Sequence, residues 1–168
     1  MLNKLSAVVR LIALSILFGG SISIIVAAVT LVKAAEAQGI PVAQAASANA
    51  PVFLVFSKIA LGAGFALLFA EALNYAQNRN LNKAMAIRYI ASFACVATTM
   101  IFAFGFVPPM EELRPRIATD EQAHAQFKKL HENSRIVFGG TILFALISLV
   151  IPALGCAASG NEAGKPSP

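Results

Sequence analysis

Charged residues withdraw from four long stretches of this chain and gather between them. Leu11–Val32 and Ile136–Ala157 are each 22 residues without a charge, and Tyr89–Val107 gives another 19. The fourth stretch, Val52–Tyr75, admits only Lys58 and Glu71. A bilayer's hydrocarbon core takes about 20 apolar residues in a helix. The pattern therefore predicts four transmembrane helices, over about residues 8–32, 52–76, 87–107 and 134–157. The fold class it predicts is all-α, a membrane bundle filling residues 1–158, followed by a disordered polar tail over 159–168.

Smaller signals refine that outline. Gly19-Gly20 falls midway along the first span, and Ala60-x-x-x-Gly64 lies in the second. Small residues let helices approach closely in lipid, where burying apolar surface gains nothing. On the third, Ala91, Cys95 and Thr99 recur every fourth residue as a packing stripe. Residues 33–50, alanine-rich with Gly39 and Pro41, read as an external connection with room for a short surface helix, and Pro51 fits the first turn of the second helix. Pro108-Pro109 reads as the stop of the third. Thr119, with Gln122 three residues on, reads as the start of an amphipathic helix. Ala123, Phe127 and Leu130 continue it into the last span, which Pro152 bends and Gly155 ends.

Composition agrees with that layout. Hydrophobic residues make up 58%, charged residues 12%, and mean hydropathy is +0.74. Soluble domains run near 25% charged. The net charge of +5 comes from scattered basic residues with no long basic run, so anionic headgroups explain it better than nucleic acid. The first apolar run exceeds the 7–15 residues of a signal-peptide core, and it is expected to stay as a span. Four spans put both termini on one side. Lys4 and Arg10 precede the first uncharged run, Leu11–Val32, and only Lys33 follows it, and the turn from Arg79 to Arg88 is purely basic. Positive-inside reasoning places both termini in the cytoplasm.

Charge inside or beside lipid is expensive, so those residues are the first candidates for chemistry. Arg10, Glu71 and Arg88 fall at the cytoplasmic ends of the first three helices. A carboxylate between two arginines is either an ion or proton site, or a structural ion pair with arginines snorkelling to headgroups. The plainer structural reading is preferred on sequence alone. Lys58 lies about two turns inside the other end of the second helix, at the depth of His131, Glu132 and Arg135. A Lys58–Glu132 pair is expected there, either gating a polar cavity or satisfying two half-buried charges.

Metal and cofactor chemistry finds little to work with. His124 and His131 stand about 10 Å apart along one helix, too far to share an ion. Haem would need a second axial ligand from another chain. Met85, Met100, Met110 and Cys95 lack the paired spacing of a copper path. Cys95 and Cys156 read as small packing residues. There is no nucleophile elbow and no glycine-rich phosphate loop. Neither catalytic residues nor a cofactor are assigned, and the chain is expected not to be an enzyme.

The stretch Val107-Pro108-Pro109-Met110-Glu111-Glu112-Leu113-Arg114, followed by Phe127-Lys128-Lys129-Leu130-His131-Glu132-Asn133-Ser134, resembles the transmembrane protein 205-like family. That family leaves its third span through a proline and enters its last with Phe-x-x-(Leu or Tyr)-His-x-x-Ser. Here Pro109, Phe127, His131 and Ser134 take those places. The family's usual Asn four residues after the Ser is Phe138 in this chain. The resemblance, over about Leu11 to Ile151, implies four spans and membrane location but no activity. His131 and Ser134, with Lys58, Glu132 and Arg135, form the candidate polar site. The expected role is non-enzymatic, engaging membrane partners or small solutes. The alternatives are a small-solute or metal-ion transporter acting as a homo-oligomer, and a haem-binding redox protein.

Overall fold

A computed structural model describes residues 2–78 and 82–162. They form four long helices in sequence, and no strand occurs among the described residues. Helix α1 spans Leu2–Ala37, α2 Val42–Gln77, α3 Lys83–Arg116 and α4 Glu121–Glu162. The whole is an all-α bundle with four helices long and apolar enough to cross a membrane. At 1.5 Å per residue the shortest, 34 residues, is about 51 Å long. That exceeds a hydrocarbon core of about 30 Å, so each helix continues beyond the apolar stretch that makes it a span.

The connections are correspondingly short. Residues 38–41 join α1 to α2, where the sequence predicted a connection of 18 residues over 33–50. Gly39 has φ +77°, and the Gly39 and Ile40 N–H groups donate to the Glu36 and Ala35 carbonyls. This is a Schellman ending, which a glycine accommodates without a Cβ clash. The alanine-rich sequence after it is good helix former, so α2 starts at Val42 and carries Pro51 in its interior rather than its first turn. Asp120, one residue after the expected Thr119, caps α4 by accepting from the Ala123 N–H at 3.1 Å. That helix passes through both Pro152 and Gly155 and reaches Glu162, four residues into the expected tail. Residues 163–168, and Arg79 to Leu81 of the polar turn, lie outside the described residues.

Pro108-Pro109 does not end α3. The helix widens into a π segment over Ile101–Phe106 and resumes over Val107–Leu113, with the prolines in its first turn. There their missing N–H groups cost little. A second π segment, Ile16–Gly20, interrupts α1.

The core follows the small residues. Leu14 and Leu17 of α1 meet Phe56, Ala60 and Leu67 of α2, Cys95, Val96 and Phe102 of α3, and Phe138 and Ala145 of α4. Phe138 is at its middle, its ring centroid 4.8 Å from that of Phe102 and 6.2 Å from that of Phe56. A Cβ on Gly20 would lie 3.0 Å from the Phe56 ring, and one on Gly64 3.5 Å from Val96. Gly19 meets nothing within 4 Å. Phe65, Phe69, Ile90, Phe93 and Ile136 point outward, the surface a membrane bundle gives to lipid.

Candidate functional site

Glu71 is the buried charged residue among the described residues, 6% exposed. It and Asn74 lie three residues apart on one face of α2, and Arg88 and Ser92 lie four apart on the facing side of α3. Arg88 Nη2 donates to Glu71 Oε2 at 2.9 Å and to Asn74 Oδ1 at 2.8 Å. The hydroxyl of Ser92 donates to Glu71 Oε1 at 2.9 Å and lies 2.8 Å from the hydroxyl of Ser148 on α4. Tyr89 OH donates to Asn74 Oδ1, and the Arg88 guanidinium sits 4.6 Å from the centroid of the Tyr89 ring. Buried ion pairs need such added hydrogen bonds to offset their desolvation.

The first helix enters through Arg10. Its Nη1 donates to the Ser148 backbone carbonyl at 3.1 Å. That carbonyl is free for a reason written in the sequence. In an α-helix it would accept from the residue four positions later, which is Pro152, and proline has no N–H. Arg10 supplies the missing donor, and it lies within electrostatic reach of both Glu71 and Arg88. All four helices thus converge on one polar cluster near the end of the bundle that carries the termini. Arg88 Nε is left buried without a hydrogen-bond partner.

From this cluster a polar seam runs along the α3–α4 contact. Ser134, Thr141 and Ser148 recur every seventh residue on α4 and all are buried. Thr141 Oγ1 donates to Thr98 Oγ1 at 2.9 Å, and the Cys95 thiol contacts the Thr141 carbonyl at 3.5 Å. Phe138, packed on Phe102, interrupts the seam between Thr141 and Ser134.

The expected polar site at the opposite end is arranged differently. His131, Glu132, Arg135 and Lys58 are all exposed, and no Lys58–Glu132 ion pair forms among the described residues. Ser134 is buried, but its hydroxyl donates to the His131 carbonyl on its own helix at 2.8 Å. The His131 ring stacks on Phe127 one turn away, centroids 6.2 Å apart. Near that end a cleft of about 620 Å³ opens between the start of α2 and the α3–α4 connection, lined by Pro41, Gln44, Arg114 and His124 among others. No group of three or more His, Cys, Asp or Glu side chains converges to hold a metal among the described residues.

Sequence reasoning picked out Arg10, Glu71 and Arg88 but passed over Asn74, Tyr89, Ser92 and Ser148. The seven-residue recurrence of Ser134, Thr141 and Ser148 was the available signal. A protein-family profile described as a domain of unknown function, DUF4149, matches residues 12–118. The matched segment holds Glu71, Asn74, Arg88 and Ser92, while Arg10 and Ser148 flank it. No curated protein and no solved structure matches the chain.

Proposed function

The chain belongs to the DUF4149 family, whose function is unknown, and from that premise we propose that it is a non-enzymatic membrane protein binding a small solute at the Arg10–Glu71–Arg88 cluster. One observation carries the reading. A carboxylate in a membrane-crossing helix is costly, yet Glu71 is 6% exposed and bonded by two residues of α3, with Arg10 and Ser148 bringing in the remaining helices. The absence of an enzymatic role is part of the proposal. Ser92, the hydroxyl beside the carboxylate, is buried, and both histidines of the chain lie on α4, where they are exposed. The cluster is assigned to the cytoplasmic side, with both termini, on the positive-inside argument.

A transporter reading, with the protein acting alone or as a homo-oligomer, is favoured by the polar seam. It leads from Ser92 and Ser148 through Thr98 and Thr141 toward the centre of the bundle. Kinship with the transmembrane protein 205-like family is proposed on Pro109, Phe127, His131 and Ser134. The last three are drawn together by the Phe127–His131 stack and the Ser134 bond.

Growth of a deletion strain across metal salts and ionic stresses tests the central reading. Wild type and His131→Ala are expected to rescue any sensitivity, and Glu71→Gln to fail while still reaching the membrane. Rescue by all three would remove the cluster from the function.

A further inference from the structure

The charges of the cluster do not balance. Arg10 and Arg88 bring two guanidinium groups and Glu71 one carboxylate. Among the described residues no second acidic side chain pairs with either arginine. Both oxygens of Glu71 are already engaged, one by Arg88 and the other by Ser92. Arg10 has five N–H donors and, among the described residues, gives one hydrogen bond, to the Ser148 carbonyl. Arg88 Nε is buried and unpartnered. Surplus positive charge and unspent guanidinium donors, converging from α1 and α3 on the same polar cluster, are complementary to an oxyanion.

Depth narrows the class. Arg10 lies eight residues into α1 and Arg88 five into α3, about 12 and 8 Å from those helix ends at 1.5 Å per residue. The two tyrosines of the chain, Tyr75 and Tyr89, sit at the same level with ring centroids 6.0 Å apart. Tyrosine concentrates at the headgroup interface. An arginine fork there meets phosphate oxygens two at a time, which a spherical ion does not exploit.

We infer that the Arg10–Arg88 end of the bundle binds a phosphate-type anion, with Glu71 as the internal counter-charge. The phosphate comes either from an anionic phospholipid headgroup or from inorganic phosphate. The inference rests on reading the cluster as a binding site, and it names the ligand class of that site. Ser148 and Pro152 contribute by holding Arg10 in place through the freed carbonyl, leaving the rest of its fork for the ligand.

The test uses the full-length protein in neutral detergent, with its unfolding midpoint followed against added phosphatidylglycerol, phosphatidylcholine or inorganic phosphate. Phosphatidylglycerol is expected to raise the wild-type midpoint saturably and phosphatidylcholine to leave it unchanged. Arg10→Gln should need about tenfold more phosphatidylglycerol for the same effect, the loss of about 1.4 kcal/mol. Lys4→Gln, which removes an exposed charge near the same terminus, should titrate as wild type. Glu71→Gln removes the counter-charge and should bind the anion more tightly. Inorganic phosphate reproducing the shift would assign the free anion, and a shift with lipid alone would assign the headgroup.

Equal titrations for wild type and Arg10→Gln, or equal responses to the two lipids with no response to inorganic phosphate, would overturn the inference. Arg10→Lys guards against a variant that fails to fold. It keeps the charge and loses the fork, so it should fall between the two, and titration identical to wild type would also overturn the guanidinium assignment. The growth assay separates this inference from the reading beneath it. If no anion response is seen while Glu71→Gln still fails to rescue, the ligand class is wrong and the site stands. An anion response alongside full rescue by Glu71→Gln would mean the reverse.

Discussion

The Glu71–Arg88 pair makes a quantitative prediction that separates a buried clamp from two charges reaching for solvent. The perturbation is a double-mutant cycle of Glu71→Gln and Arg88→Met. A neutral hydrogen bond between membrane helices couples by about 0.6 kcal/mol on average, and a charge-assisted bond is roughly twice as strong. Coulomb attraction at about 4 Å adds up to about 4 kcal/mol at an effective dielectric of about 20, most of it offset by desolvation. With 7% of the Glu71 side chain and 12% of the Arg88 side chain exposed and 2.9 Å between them, a coupling of about 1–3 kcal/mol follows. Arg88→Met alone should cost about 3 kcal/mol, the low end for a stranded buried charge, because Arg10 still acts on Glu71. Glu71→Gln should cost less, about 1–2 kcal/mol, as a charged acceptor becomes a neutral one. The chain has no tryptophan, so unfolding by SDS in mixed micelles is best followed by circular dichroism. A coupling below about 0.3 kcal/mol, the scatter of independent sites, would refute the clamp.

Other residues yield sharper contrasts. Gly20→Ala should destabilise by about 1–3 kcal/mol because the new methyl meets the Phe56 ring at 3.0 Å. Gly19→Ala has open space and should be neutral or stabilising by up to about 1 kcal/mol; the same unfolding assay reads both. Phe138→Asn restores the residue usual in the resembling family, yet it should cost about 3–5 kcal/mol. It removes the ring that Phe56 and Phe102 pack against, and retained stability would refute that packing role. Arg10→Gln should cost about 1.5–3 kcal/mol in wild type, as a charged hydrogen bond is lost. On a Pro152→Ala background, where the Ser148 carbonyl regains its ladder donor, the cost should fall by at least half, and an unchanged cost would break the link between Arg10 and Pro152.

The spans were legible because lipid imposes a length and forbids scattered charge, and those constraints act on any sequence window. Their ends were not. Pro51 and Pro108 were assigned by the usual place of proline, but alanine-rich chain before one and a π turn before the other carry the helix past them. Arg10, Glu71 and Arg88 stood out as charges beside apolar runs. Ser92 and Ser148 did not, since hydroxyls are common in such runs and only the α3–α4 register brings them to 2.8 Å. Lys58 shows the opposite failure. Sequence gives depth along a helix but not direction around it, and Lys58 faces outward while Ser57 and Ala60 face the core.

The π segments bear on how this chain can change length over evolution. A π turn holds one residue more than the α-helical ladder requires, so Ile16–Gly20 and Ile101–Phe106 are the two places where a residue can leave without turning the rest of its helix. Anywhere else in a span, one deletion swings everything beyond it by about 100° and points core side chains into lipid. Removing Gly19 should therefore yield a folded protein with an uninterrupted first helix, whereas removing Ala13 should not. The same far-UV unfolding curves would decide it, and equal damage from both deletions would contradict the reasoning. Shorter relatives would be expected to have lost their residue inside these turns, leaving the faces that meet Phe56 and Phe138 in frame.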